Sequence, residues 1–380
     1  MDKCIYSKVC GACSLQGISY NKQLKLKQNR INDLLNRFGN VKSILGMNNP
    51  NNYRNKVQVS FAYDENNNVV YGNYESSKHT VVAIDDCMIC DNKANEIIKS
   101  VTNLINKYKI SLFNENTLKG CIRHLLVRAT NTGEYMLVLV TGSSNIVKKD
   151  LFIKDILNCN KEIKTIVQNI NNKHTSMVLG QKNIVLYGKG YVTDELCDLR
   201  FNISANSFYQ VNKSQTQVLY QEVFNACKLE KSDIVLDAYC GTGTIGLVLS
   251  KHCKQVYGVE INKNAIKDAI NNAKNNKIKN CYFVNDDASE FMHQLSINND
   301  HIDVLIMDPP RTGSDKKFLN NVLKVMPSRI IYVSCGPETL VRDLTILTKK
   351  YKVNSIQPVD MFPYTDHVEC VVSMQRKDNK

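Results

Sequence analysis

No uninterrupted apolar stretch in the 380-residue sequence reaches the roughly 18 residues of a membrane-spanning helix, so helical membrane proteins are set aside. The start, Met1-Asp-Lys-Cys-Ile-Tyr, has neither the apolar segment nor the small-residue cleavage site of a secretory signal. A reducing, cytoplasmic setting is therefore expected, and disulfide pairing among the 14 cysteines is not. Most of the scattered thiols, Cys159, Cys197, Cys227, Cys253 and Cys281 among them, then read as small buried hydrophobes. Repeats and low-complexity tracts are also missing, which leaves ordinary globular domains, roughly two or three for this length. Acidic residues are in deficit: 36 Asp and Glu against 49 Lys and Arg give a formal net charge of +13 and a pI near 9.0. That excess suits a polyanion, most simply nucleic acid, although lysines and asparagines spread along the chain also fit a plain compositional bias.

From about residue 233 onward, short apolar runs at 234–239, 255–261, 280–286, 304–307 and 329–334 alternate with amphipathic segments at 244–252, 264–277, 317–325 and 338–350. This alternation predicts a mostly parallel sheet with helices on both faces. The last two runs, 353–358 and 367–374, have no helix between them and are expected to close the sheet as an antiparallel hairpin. Before residue 207 the texture differs. One helix is expected at 24–38, then alternating, β-branched or aromatic segments at 56–63, 69–74, 81–84, 124–129 and 135–141, divided by turn residues such as Asn66-Asn-Asn68. The expected architecture is α/β, with an N-terminal β-rich domain over 1–207, a doubly wound domain over 208–380, and the passage between them around 201–211.

Three motifs fall at strand ends of the second domain. In Ile234-Val-Leu-Asp-Ala-Tyr-Cys-Gly-Thr-Gly-Thr-Ile-Gly246 a buried strand runs into a glycine turn and a helix, where Gly241 and Gly243 let backbone approach a ligand. Glu260 ends the next strand, where a carboxylate can accept both hydrogen bonds of a ribose diol. The glycine spacing also matches a dinucleotide fingerprint, so an NAD enzyme is a rival; Asp237 before the loop suits the amino-acid end of S-adenosylmethionine better than a pyrophosphate. In Val304-Leu-Ile-Met-Asp-Pro-Pro-Arg-Thr-Gly313 two prolines stiffen the turn that presents Asp308 over the same crevice. Comparable turns serve methylation of exocyclic amino groups, which makes base N-methylation a competing chemistry.

Cys335, in Ile330-Ile-Tyr-Val-Ser-Cys-Gly-Pro-Glu338, separates those chemistries. A pyrimidine carbon is a weak nucleophile, but thiolate addition at C6 of uracil turns C5 into an enolate carbon able to attack a methyl sulfonium, and N-methylation needs no such thiol. The helix opened by Pro337 is expected to lower the thiol pKa. Removing the C5 proton then needs a base, and Glu369 in Asp366-His-Val-Glu-Cys-Val-Val372 is the candidate, with burial raising its pKa and Asp366 and His367 as alternatives. A fourth motif joins Cys4, Cys10 and Cys13 to the distant Cys87-Met-Ile-Cys90; four thiolates fit tetrahedral zinc or an iron–sulfur cluster, spacing does not choose, and Cys90 can stand in for Cys87.

These residues, with Gln16, Tyr53-Arg-Asn-Lys56, Arg123-His124 and Ser207-Phe-Tyr-Gln-Val-Asn212, resemble the S-adenosylmethionine-dependent RNA uridine-5-methyltransferase family, in particular its cluster-bearing 23S rRNA branch. The resemblance covers almost the whole chain. It implies a class I Rossmann-like methyltransferase domain with a seven-stranded, mostly parallel sheet beside an N-terminal iron–sulfur domain. It further implies Cys335 as nucleophile, Glu369 as proton acceptor, cofactor contacts at Gln210, Tyr239, Gly241, Gly243, Glu260, Asp308 and, at the adenine, Asp287, and a 4Fe-4S cluster on Cys4, Cys10, Cys13 and Cys87. A helix over about 16–47 is implied to pack on the catalytic domain, and Phe208 to stack near the flipped base. Several relatives carry an OB-like RNA-binding domain before the cysteines, for which this chain has no room; members without it include rRNA and tRNA T-loop enzymes, and the cluster cysteines point to rRNA, with the tRNA T loop second. The expectation is a cytoplasmic monomer acting on RNA, with no membrane; a catalytically inactive, cluster-bearing RNA-binding module is the alternative of a different class.

Overall fold

The computed structural model describes residues 4–78 and 80–377. Helix α1 (Tyr20–Leu35) leads into β1 (Lys56–Tyr63), β2 (Val69–Tyr74), β3 (Val81–Ala83), α2 (Asn92–Tyr108), β4 (Ile122–Ala129), β5 (Tyr135–Thr141), α3 (Lys149–Cys159), β6 (Ile163–Ile170) and β7 (Lys182–Tyr187). These strands form one sheet in the order β3-β2-β1-β4-β5-β6-β7. Its pairs are antiparallel except β5 with β6, which α3 connects as a crossover.

A hairpin of β8 (Tyr191–Leu196) and β9 (Leu199–Ser204) follows, then α4 (Lys213–Cys227). The second half alternates strand and helix: β10 (Ile234–Ala238), α5 (Thr244–Leu249), β11 (Gln255–Glu260), α6 (Lys263–Asn275), β12 (Cys281–Asn285), α7 (Ala288–Asn298), β13 (Val304–Met307), α8 (Lys316–Val325), β14 (Arg329–Ser334) and α9 (Pro337–Leu347). It closes with β15 (Tyr351–Val359) and β16 (Glu369–Arg376). The strand order is β12-β11-β10-β13-β14-β16-β15, parallel from β12 to β14 and antiparallel across β16. Order reverses beside β10, so the crevice for a ligand opens at the carboxyl ends of β10 and β13.

Two helices, α2 and α3, lie in the region expected to be purely strand-rich, as do β6, β7 and the β8–β9 hairpin. In α2 the buried Ala94, Ile97, Ile98, Val101, Leu104 and Ile105 recur at helical spacing behind an Asp91 N-cap that accepts from Ala94 N. Its isoleucines and valine read locally as strand formers, and packing on the sheet overrides that preference. Strands β4 and β5 are buried at every position because both faces are covered. Leu125, Val127, Leu137 and Leu139 meet α2 and α3, while Leu126, Val138 and Val140 share a core with Val235, Ile306 and Val333 of the second sheet. Helix α1 buries Ile31 and Leu35 against α9 and β15 of that second sheet, and the chain after it adds bridges Val41 to Ile356 and Leu45 to Val359.

Candidate active site

Register alone brings Cys335 and Glu369 together. Ser334 pairs with Cys370 across the antiparallel β14–β16 ladder, so the next residue on each strand is Cys335 and Glu369. The parallel β13 ends beside them at Asp308, whose N–H reaches Ala238 O (3.4 Å), and Arg311 follows on the same turn. Burial and the Asp308 charge push Glu369 up to about 8 against the opposing pull of Arg311. Burial raises Asp308 to about 7. For Cys335 the outcome is opposite to the sequence expectation: burial, Glu369 and Asp308 push the thiol up to about 11, outweighing Arg311 and the start of α9. Asp366 is engaged elsewhere, accepting from Ser14 Oγ (3.0 Å), and burial and Arg311 lower His367. Of Glu369, Asp366 and His367, the group with a raised pKa facing the sulfur is therefore Glu369.

The cofactor candidates gather along the same sheet edge. Tyr239 takes a left-handed backbone (φ 64°) directly after β10, a conformation costly for a side chain of that size. Its hydroxyl lies 3.3 Å from Ser314 Oγ and its ring packs on Phe318. Gly241 (φ 55°) has nothing within 4 Å of where a Cβ would project, so its backbone borders open space, whereas a Cβ at Gly243 (φ 77°) would press on the Phe283 ring at 2.8 Å. Glu260 accepts from Gly241 N (3.2 Å) and Asn262 N (2.8 Å), which fixes its carboxylate at the loop. Asp287 is exposed and caps α7 through Ser289 N (2.8 Å) and Glu290 N (3.2 Å). Asp237 points into the fold, accepting from Gly246 N (2.9 Å), with its other oxygen buried and unpartnered among the described residues. A loop bordering open space beside an anchored carboxylate suits a ligand with a ribose diol.

Gln210 lies on the segment from β9 to α4, where its carbonyl accepts from Asn55 Nδ2 (3.1 Å), while Asn212 Nδ2 donates to Met361 O (2.9 Å) just ahead of β16. Phe208 is 67% exposed on that segment. Buried Arg128 of β4 pins it by donating to the Ala205 and Ser207 carbonyls. Residue patterns missed a brace behind Asp308. Thr339 Oγ1 donates to Arg311 O (3.0 Å), Arg342 to Thr312 O (3.0 Å) and Ser314 O (2.7 Å), and Asp343 accepts from Ser314 N (2.9 Å). The signal available was their i, i+3, i+4 spacing in the helix that follows Cys335.

Cys4, Cys10, Cys13 and Cys87 line one cavity with Tyr6, Gln16 and Met88. Among the described residues, no set of three or more His, Cys, Asp or Glu side chains is arranged to hold a metal ion. Hydrogen bonding from the Cys90 thiol, then the N–H groups of Ile89 and Cys90 and the charge of Arg54, lower Cys87 to about 6 despite burial. Cys90 titrates the other way and lies outside that cavity. No helix among the described residues is long and apolar enough to cross a membrane.

The sheet order, the glycine turn after its first strand and the carboxylates at its carboxyl edge define a class I methyltransferase fold. A crystal structure of Pyrococcus abyssi tRNA (uracil-54, C5)-methyltransferase in complex with S-adenosyl-L-homocysteine superposes with TM-score 0.78 at 27% identity, over 96% of this chain and 86% of that one. Residues 19–377 match the tRNA (uracil-5-)-methyltransferase family, and the chain belongs to it and so to the S-adenosylmethionine-dependent RNA methyltransferases. An uncharacterized RNA methyltransferase of Staphylococcus epidermidis is 40% identical over 99% of this chain and 84% of its own length. One from Clostridium acetobutylicum is 42% identical over 99% and 83%.

Proposed function

We propose that this chain transfers a methyl group from S-adenosylmethionine to C5 of a uridine in 23S rRNA through a covalent adduct with Cys335. The observation that carries the reading is the facing of Cys335 and Glu369 at the β14–β16 junction, one step beyond the Ser334–Cys370 pair. S-adenosylmethionine, when bound, supplies an electrophilic methyl carbon. Tyr239, Gly241, Gly243, Glu260, Asp308, Gln210 and Asp287 are the residues proposed to hold it. Cys335 adds to C6 of an extruded uridine, since a stacked base hides that carbon from the sulfur. The resulting enolate carbon C5 accepts the methyl, Glu369 removes the C5 proton, and the thiolate leaves as the ring double bond reforms. Residues 208–380 would carry this chemistry, with 1–207 facing the RNA, in a cytoplasmic monomer.

The four thiols at Cys4, Cys10, Cys13 and Cys87 are proposed to hold a 4Fe-4S cluster, supported by their shared cavity. When bound it would cross-link the N-terminal segment to the turn at residues 84–90. Iron and acid-labile sulfide in equal amounts in anaerobically purified protein are expected; zinc without sulfide would overturn the assignment. A second reading, methylation of a tRNA T-loop uridine, is favoured by the likeness to the Pyrococcus abyssi tRNA (uracil-54, C5)-methyltransferase.

One experiment tests both. Transcripts of 23S rRNA and tRNA containing 5-fluorouridine are incubated with enzyme and S-adenosylmethionine. Fluorine cannot leave C5 as a proton does, so a denaturation-resistant complex is expected with the wild type and none with Cys335→Ala. Mapping the trapped nucleotide names the substrate. Absence of any adduct on either RNA, with turnover intact, sinks the covalent mechanism.

A further inference from the structure

The connection between β15 and β16, residues 360–368, delivers the chain to Glu369 and is gripped by a helix more than 300 residues away in sequence. Gln23 Oε1 accepts from Tyr364 N (2.8 Å), and Lys27 Nζ donates to Asp360 Oδ1 (2.6 Å) and Phe362 O (3.0 Å). Arg30 donates to Asp366 O (3.0 Å). Positions 23, 27 and 30 are spaced four and three apart, so one face of α1 holds the whole connection. Tyr20 adds a bond from its hydroxyl to Asp360 Oδ2 (2.8 Å). The other edge of Arg30 reaches Glu338 Oε1 (3.2 and 2.5 Å), in the first turn of α9 and three residues past Cys335. Arg30 thus bridges the helix that follows Cys335 and the connection that precedes Glu369.

The Lys27–Asp360 pair is 2% and 0% exposed. Desolvation offsets much of the attraction in such a pair, so its use lies in selecting one arrangement more than in net stability. We propose that Lys27 and Arg30 are positioning residues that fix Glu369 against Cys335 and thereby govern removal of the C5 proton. The inference rests on the covalent reading above. In that step the proton passes to the Glu369 carboxylate, its electron pair forms the C5–C6 double bond, and the C6–S bond breaks to release a thiolate. Proton transfer is sensitive to sub-ångström placement, and neither Lys27 nor Arg30 is among the residues proposed to hold the cofactor.

The test uses the full-length enzyme with unmodified RNA and quenched time courses, in Arg30→Gln and Lys27→Met. Expected are a fall in kcat of about tenfold with KM for RNA unchanged within about twofold. Methylated RNA should accumulate bound to Cys335, and Arg30→Lys should recover part of the rate. Lys27→Met strands a buried Asp360 and can unfold the protein; Arg30, 38% exposed, keeps the test sound. Unchanged kcat in soluble Arg30→Gln, or a loss without accumulated adduct, overturns the positioning role. Wild-type enzyme on 5-fluorouridine RNA separates the two ideas. No adduct there sinks the covalent chemistry itself, whereas a wild-type adduct with an unaltered Arg30→Gln sinks the positioning role alone.

Discussion

Burial governs the ionisation of Asp237 and Asp308, each raised to about 7, and of Glu369, raised to about 8. Unfolded, these groups titrate near 4, so between that value and 7 to 8 the folded chain holds protons the unfolded chain has lost. Their contribution to stability is fully present below pH of about 4 and is lost as pH rises through the folded values, at up to ~1.4 kcal/mol per pH unit for each group. Thermal unfolding at stepped pH should show this decline, and Glu369→Gln should flatten it above pH of about 6. Activity runs the other way. A base must be ionised, so kcat should climb through about pH 8, and Glu369→Gln should lower it about 10²-fold or more while leaving S-adenosylhomocysteine affinity intact. A pH-independent kcat in the wild type would remove Glu369 from the step. The positions of Cys335 and Glu369 were legible because each sits where an apolar run meets a turn. The direction of the Cys335 shift was not, because it depends first on burial in the folded chain and then on Glu369 and Asp308, 34 and 27 positions away in sequence.

Element boundaries in the second half follow from local signals: apolar runs bounded by turns gave β10, β11, β13 and β14 to within a residue or so. In the first half α2 and α3 escaped, since isoleucine-rich amphipathic helices and half-buried strands share composition and differ only in period. The brace on the Asp308 turn escaped for another reason: the spacing of Thr339, Arg342 and Asp343 shows a shared helix face, but their partners are backbone groups, which have no sequence signature. Arg342→Ala frees the Thr312 and Ser314 carbonyls and loosens the turn. S-adenosylhomocysteine binding by calorimetry should weaken about five- to tenfold, and the melting temperature should fall as well, because Arg342 also pairs with the fully buried Asp343. Unaltered affinity would show that the two prolines suffice to hold Asp308. Gly243→Ala is expected to be more severe, combining a left-handed backbone with a methyl against Phe283.

At the scale of the molecule, one apolar cluster runs from Val138 and Val140 of the first sheet to Val235, Ile306 and Val333 of the second. Residues 208–380 produced alone would expose that face, so the fragment should be insoluble or molten, and the full chain should melt in a single calorimetric transition. Two separated transitions would show that the shared core does not couple the halves. The surplus of 13 positive charges implies that RNA affinity falls steeply with added salt. The grip of α1 on the β15–β16 connection has a consequence for biosynthesis. A ribosome releases this helix early and the strand bearing Glu369 nearly last, so a nascent polypeptide carries Cys335 before it carries the carboxylate proposed to act with it. A chain that stops short of residue 360 leaves Lys27 without Asp360 and Arg30 without the Asp366 carbonyl.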